Sequence, residues 1–248
     1  MDVRRIEEAA LNAWPAKQQR LYDGWLLRFS EGYSKRANSV NPLYASTLDV
    51  ETKIDVCEAQ YAAKALPTLF RITPLASPAD LDQRLAARGY RVLDPTRVEV
   101  LDLATWSAAG TSPSALEDLS LDAWRERYAT FAGRRLPAAH HAMLEAIAGG
   151  LRLVCLRHAG RPVACGMAVV EGAYVGLFSL ITDPVLRRRG YGQALVESLL
   201  DRAKGAGARH AYLQVQESNG PARQLYAKLG FRELYRYWYR RAPEDTPS

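Results

Sequence analysis

Cysteine and histidine are scarce, with three and four copies in 248 residues. Cys57, Cys155 and Cys165 are odd in number, widely spaced and set among apolar residues. That excludes a disulfide framework and predicts reduced core thiols. Only His140 and His141 are neighbours, and adjacent residues on a helix point in different directions, so no metal site is expected. No apolar run approaches the roughly 20 residues needed to cross a bilayer. The opening residues, Met1-Asp2-Val3-Arg4-Arg5-Ile6-Glu7-Glu8, are charged and lack the apolar stretch of a secretion signal. The expected compartment is the cytoplasm, with no membrane partner.

What is present is a globular composition. Hydrophobic residues make up 48% and charged residues 24%, enough apolar material for a proper core. One stretch stands out, Thr182-Asp183-Pro184-Val185-Leu186-Arg187-Arg188-Arg189-Gly190-Tyr191-Gly192-Gln193. The β-formers of residues 174–181 precede it and predict a buried strand. After it Leu195, Val196, Leu199, Leu200 and Ala203 recur at helical spacing. An arginine- and glycine-rich turn thus joins a strand to the start of an amphipathic helix, where unpaired N–H groups and the macrodipole favour an anion. The turn lacks the Gly-Lys-Ser/Thr ending of a P-loop and does not fit the three-glycine dinucleotide fingerprint.

Downstream, residues 209–216 predict another strand. Asn219 or Ser218 can cap the next helix, with Pro221 near its first position and Gly230 at its C-terminal end. Arg187-x-x-Gly190-x-Gly192 resembles the pyrophosphate-binding motif of the GNAT superfamily of acyl-CoA N-acyltransferases. Asn219, Ala222, Leu225, Tyr226, Gly230 and Phe231 match a second segment of that family, in the right order and at the right separation.

The resemblance implies an α/β (α+β) fold with a mixed, mostly antiparallel sheet flanked by helices, and acetyl transfer from acetyl-CoA to a primary amine by direct attack in a ternary complex. It implies that the loop Arg187, Arg188, Arg189, Gly190, Tyr191, Gly192 and Gln193 holds the pyrophosphate. The main chain of Leu180, Ile181 and Thr182 would bind the pantetheine arm and polarise the thioester, with Asn219 and Tyr226 as further cofactor contacts. Tyr226 is nominated as general acid to the thiolate, since a phenol near 10 suits donation to a thiolate near about 8.5 or above. Glu217 is the first choice of general base, directly or through a water. The expected partners are acetyl-CoA and an amine acceptor, on a monomer or homodimer. Coenzyme A phosphates also account for part of the net charge of +6, so nucleic acid is not expected. A non-catalytic acyl-CoA sensor or assembly module is the alternative.

The first half reads as a reduced copy of the second. Residues 3–13 have helical spacing ended by Trp14-Pro15. Residues 24–29 predict a strand, residues 34–40 its hairpin partner closed by Asn41-Pro42, and residues 47–65 a helix. Strand 67–72, a helix from Ser77-Pro78 to Arg88, Gly89-Tyr90 and strand 96–103 then align with the segment ending in Gly230-Phe231. Leu85 stands where Tyr226 stands, and no Arg-x-x-Gly-x-Gly loop occurs in this half. The expected organisation is a degenerate GNAT-like unit over 1–104, a linker at 105–115 and a catalytic unit over 116–248. The catalytic unit is expected to contain helices over 121–132 and 138–148, a hairpin of 151–157 with 162–170, and a final strand at 234–240. Trp25, Tyr33, Arg36, Asn38 and Ser39 are candidates to line the acceptor groove.

Overall fold

The computed structural model describes residues 1–108 and 114–243. Its elements are α1 (Val3–Asn12), β1 (Gln18–Tyr22), β2 (Trp25–Phe29), β3 (Val40–Pro42), α2 (Val50–Ala62), β4 (Leu69–Ile72), α3 (Leu81–Ala87) and β5 (Arg91–Asp102). There follow β6 (Ala115–Asp118), α4 (Leu121–Ala132), α5 (Ala138–Glu145), β7 (Leu151–His158), β8 (Arg161–Glu171), β9 (Tyr174–Thr182), α6 (Tyr191–Gly205), β10 (His210–Gln216), α7 (Gly220–Lys228) and β11 (Arg232–Arg241). The described strands form one sheet in the order β1-β2-β3-β4-β11-β5-β10-β9-β8-β7-β6. Neighbours run antiparallel except β3 with β4 and β9 with β10.

Alternation along the strands divides the core. Val98, Val100, Tyr235, Tyr237 and Tyr239 pack with residues of α1, α4 and α5 on one face. The other face receives Leu195, Leu199 and Tyr226 from α6 and α7, and a separate cluster with Ile54, Cys57 and Tyr61 of α2. The three cysteines are free and buried.

The middle of the sheet explains why the two halves align. Half one closes with β4, α3 and β5, and half two with β10, α7 and β11. In both, a glycine in the left-handed region ends the helix, Gly89 at φ 80 and Gly230 at φ 93. The closing strands are exchanged. β11 pairs with β4 of the first half, β5 pairs with β10 of the second, and β5 and β11 pair with each other. The two halves thus share one hydrogen-bonded sheet, each lending its closing strand to the other.

Residues 34–40 depart from expectation. They form a 3₁₀ turn at Lys35–Ala37 followed by the three-residue β3. Asn38 is the cause: its Oδ1 accepts from the Ser30 and Gly32 N–H groups at 2.7 and 3.1 Å, and its Nδ2 donates to the carbonyls of Tyr33 and Ser34 at 2.7 and 2.9 Å. A buried amide thereby takes up main-chain groups that a ladder would otherwise use. Edge strands β1 and β6 add to the expected set. The helix expected over 47–65 begins at Val50, because Asp49 caps it by accepting from the Thr52 N–H at 2.9 Å. Of the expected linker, residues 109–113 lie outside the described residues.

A buried ion pair ties α1 to the sheet. Glu7 and Arg71 are each 1% exposed, and Arg71 grips the carboxylate with both Nη1 and Nη2, the latter at 2.9 Å. The Tyr235 hydroxyl donates to the same carboxylate, and the guanidinium lies 3.8 Å from the Tyr237 ring centroid. Breaking such a pair from one side leaves an uncompensated buried charge. Glu7→Leu should therefore cost about 3–5 kcal/mol in denaturant unfolding, and adding Arg71→Met should recover much of that loss.

His140 gives a second expectation. It packs against Trp124 and Tyr33, and burial pushes its pKa down from 6.5 to about 4, with the Arg125 charge adding. The unfolded chain binds the proton more readily, so this contribution is complete above pH 6.5 and is lost as pH falls towards 4. A pH series of melts should show that loss in the parent and a flatter acid limb in His140→Phe.

Candidate functional site

The turn between β9 and α6 leaves arginines and main-chain donors open. Asp183 starts a 3₁₀ turn at Pro184–Leu186 by accepting from the Val185 N–H at 3.1 Å. Arg188 at φ 64 and Gly190 at φ 82 then swing the chain into α6. The left-handed geometry at Gly190 is what requires glycine, more than any lack of room for a Cβ. Gly190 caps α6 without a side chain, so the first N–H groups of the helix stay open. They face a cleft of about 850 Å³ that runs between α6 and α7.

Of the expected loop, Arg187, Arg188, Gly190, Tyr191, Gly192 and Gln193 line this cleft, as do Leu180, Ile181, Thr182 and Asn219. Arg189 does not. All three arginines are exposed, and none pairs with a carboxylate among the described residues. Lys228, which the sequence motifs did not single out, adds a further cation from α7 and donates to Gln193 Oε1 at 3.0 Å.

The second feature is a break in the sheet. β9 and β10 pair in parallel only from Tyr174 with His210 to Leu177 with Leu213. Beyond that point β9 turns through Ser179 at φ 49, where its pairing with β8 also shifts register. The β10-facing edge of residues 179–182 is left without a strand partner. A gap of about 300 Å³ opens there, lined by Leu180, Gln214, Asn219 and Tyr226 among others. It meets the larger cleft at Leu180 and Asn219.

Tyr226 comes to this gap from α7. Burial, with the Glu99 carboxylate nearby, pushes its hydroxyl up from 10 to about 12, so it stays protonated and able to donate. Asn219 caps α7 by accepting from the Ala222 N–H at 3.3 Å. Glu217 lines neither cavity. Its Oε1 lies 2.8 Å from Arg236 and 3.5 Å from Arg97, and both arginines also pair with Glu233.

The first half contributes Trp14 and Arg36 to the lining of the gap. Trp14 had figured in the sequence only as a helix terminator. Trp25 is buried in the core of the first half, with its indole donating to the Ser77 carbonyl at 2.9 Å. Asn38 holds the turn described above, Ser39 is buried, and Tyr33 packs on His140. None of these four lines the gap. Among the described residues no group of His, Cys, Asp and Glu could hold a metal ion, and no helix is long and apolar enough to cross a membrane.

Similarity to known proteins bears on the fold and the family. The family model described as "Probable histone acetyltransferase Rv0428c C-terminal" matches residues 1–240. The uncharacterized N-acetyltransferase YobR of Bacillus subtilis is 28% identical, covering 96% of this chain and 98% of that protein. A GCN5-related N-acetyltransferase from Kribbella flavida superposes with a TM-score of 0.76 at 16% identity, over 98% of this chain and 97% of its own. A tandem GNAT protein from the clavulanic acid biosynthesis pathway shares the fold at a TM-score of 0.56 and 17% identity, over 78% of this chain and 70% of its own. Residues 1–240 thus place the chain in the family of that model, and it belongs to the GNAT acetyltransferases.

Proposed function

We propose that the protein transfers the acetyl group of acetyl-CoA to a primary amine, by direct attack in a ternary complex. The observation that carries this reading is the adjacency of two cavities that share Leu180 and Asn219. One lies at the open start of α6, and the other, between β9 and β10, holds a protonated tyrosine.

In this reading Arg187, Arg188 and the first N–H groups of α6 hold the pyrophosphate, assisted by Lys228. The free edge of Leu180, Ile181 and Thr182 offers main-chain donors to the pantetheine arm and the thioester carbonyl. Acetyl-CoA supplies the activated acetyl group. The amine nitrogen bonds to the carbonyl carbon, the C–S bond breaks, and Tyr226 gives its proton to the departing sulfur and regains one from solvent. Proton removal from the amine by Glu217 would run through water, because its carboxylate is held by Arg97 and Arg236 and does not reach the gap. Residues 116–248 form the catalytic unit in this scheme. Residues 1–104 are its degenerate companion, which supplies one wall and strand β5. Three buried free cysteines suit the cytoplasm as the compartment.

Titration calorimetry with acetyl-CoA tests the anion site. Gly190→Glu puts a charge at the start of α6, and Gly190→Ala imposes the same backbone cost without the charge. The glutamate variant should bind at least about 10- to 100-fold more weakly than the alanine variant. Equal binding by the two would remove the anion site.

Tyr226→Phe should lower kcat by about 10²-fold in a thiol-release assay while leaving acetyl-CoA affinity unchanged. A phenol at its usual value near 10 would impose an alkaline loss of rate there, and at about 12 that loss moves beyond the working range. Unchanged kcat in the variant would exclude Tyr226 as the acid.

A further inference from the structure

On the acceptor side of the gap, Arg36 has no counter-charge. Its guanidinium stacks 4.8 Å from the Trp14 ring and 5.8 Å from the Phe178 ring, and both rings line the gap with it. No described carboxylate pairs with it, and its Nη1 is buried without a hydrogen-bond partner. Gln214 presents a second donor of this kind. Its Oε1 accepts from the Tyr237 hydroxyl at 2.9 Å, which fixes the amide and leaves Nε2 buried and unpartnered. Arg36 and Gln214 together line both the gap and an adjoining recess of about 190 Å³ beside Tyr237 and Tyr239.

The charge balance of these walls is lopsided. Arg36 is the sole formal charge on the lining of the gap. In the recess the one acid, Asp94, is taken by Lys35 at 2.6 Å. A lysine-rich peptide would therefore meet a like charge and find no free carboxylate among the residues that line the gap and the recess.

We propose, building on the acetyl-transfer reading, that the acceptor is a small amine that also carries a carboxylate, with its two oxygens bound by Arg36 Nη1 and Gln214 Nε2. A carboxylate is planar and presents two acceptor oxygens, which suits one guanidinium arm and one amide N–H. A buried donor left unmet is costly, and a ligand that satisfies both donors recovers that cost on binding. A phosphate would carry more charge than one arginine balances, and a neutral carbonyl would leave Arg36 unneutralised. The carboxylate would anchor the acceptor at the β10 side of the gap, with its amine free to face the Leu180 and Tyr226 end.

The test is equilibrium binding by calorimetry, run with and without coenzyme A. The probes are the protein α-amino acids, β-alanine and γ-aminobutyrate, each beside its carboxamide, together with a lysine-rich peptide. At least one acid should bind the parent roughly tenfold or more tightly than its carboxamide. Arg36→Met should erase that difference, Arg36→Lys should keep part of it, and coenzyme A affinity should be the same in all three proteins. The inference is overturned if no acid binds, if carboxamides bind equally well, if Arg36→Met keeps the preference, or if the peptide binds best. Thiol release from acetyl-CoA, measured on the same panel, separates the two readings. Turnover without acid preference removes only the carboxylate site, whereas acid binding without any thiol release removes acetyl transfer and leaves the site standing.

Discussion

The pairing of β9 with β10 stops at Leu177 and Leu213, and the chemistry assigned to this fold depends on that break. A continuous ladder would satisfy every main-chain group along β9 and leave nothing for a ligand. Here the break is held from several sides. Ser179 in a left-handed conformation turns β9 away, Tyr226 comes from one face of the sheet, and the rings of Trp14 and Phe178 with the Arg36 guanidinium come from the other. The gap is therefore held open by packing within the folded chain.

This places a functional burden on elements far from the reacting atoms. Trp14 directly follows α1, and α1 is fastened to the sheet by Glu7 through Arg71 of β4 and Tyr235 of β11. The buried carboxylate is satisfied by a guanidinium and a phenol together, the kind of complete pairing that a desolvated charge requires. The Arg28 guanidinium reinforces the same corner by donating to the carbonyls of Leu11, Trp14 and Arg36. A wall of the gap thus rests on polar contacts that join the first half to β11 of the second.

The second half was largely legible from the chain. Its helices carry a 3.6-residue apolar rhythm, its strands are rich in β-formers, and Gly190, Asn219 and Gly230 occupy positions where backbone geometry or capping calls for those residues. The first half was less legible for physical reasons. β1 is an exposed edge strand of Gln-Gln-Arg-Leu-Tyr without apolar alternation, and the turn around Asn38 follows from hydrogen bonds to residues up to eight positions away. In the candidate site, the loop over 187–193 stood out because its residues are consecutive. Gln214 and Trp14 could not, since only tertiary pairing brings them to one cavity. The ion pairs of Glu217 with Arg97 and Arg236 likewise depend on strand neighbours.

The exchange of closing strands also orders the birth of the molecule. β4 waits for β11, made roughly 160 positions later, an interval of roughly ten to thirty seconds at ordinary synthesis rates of about 5–20 residues per second. During that time β4 and β5 lack β11 between them, and their open edges are the kind that recruit foreign strands. The arrangement that makes the finished sheet continuous thus leaves strand edges open, and prone to foreign pairing, for as long as the second half is still being made.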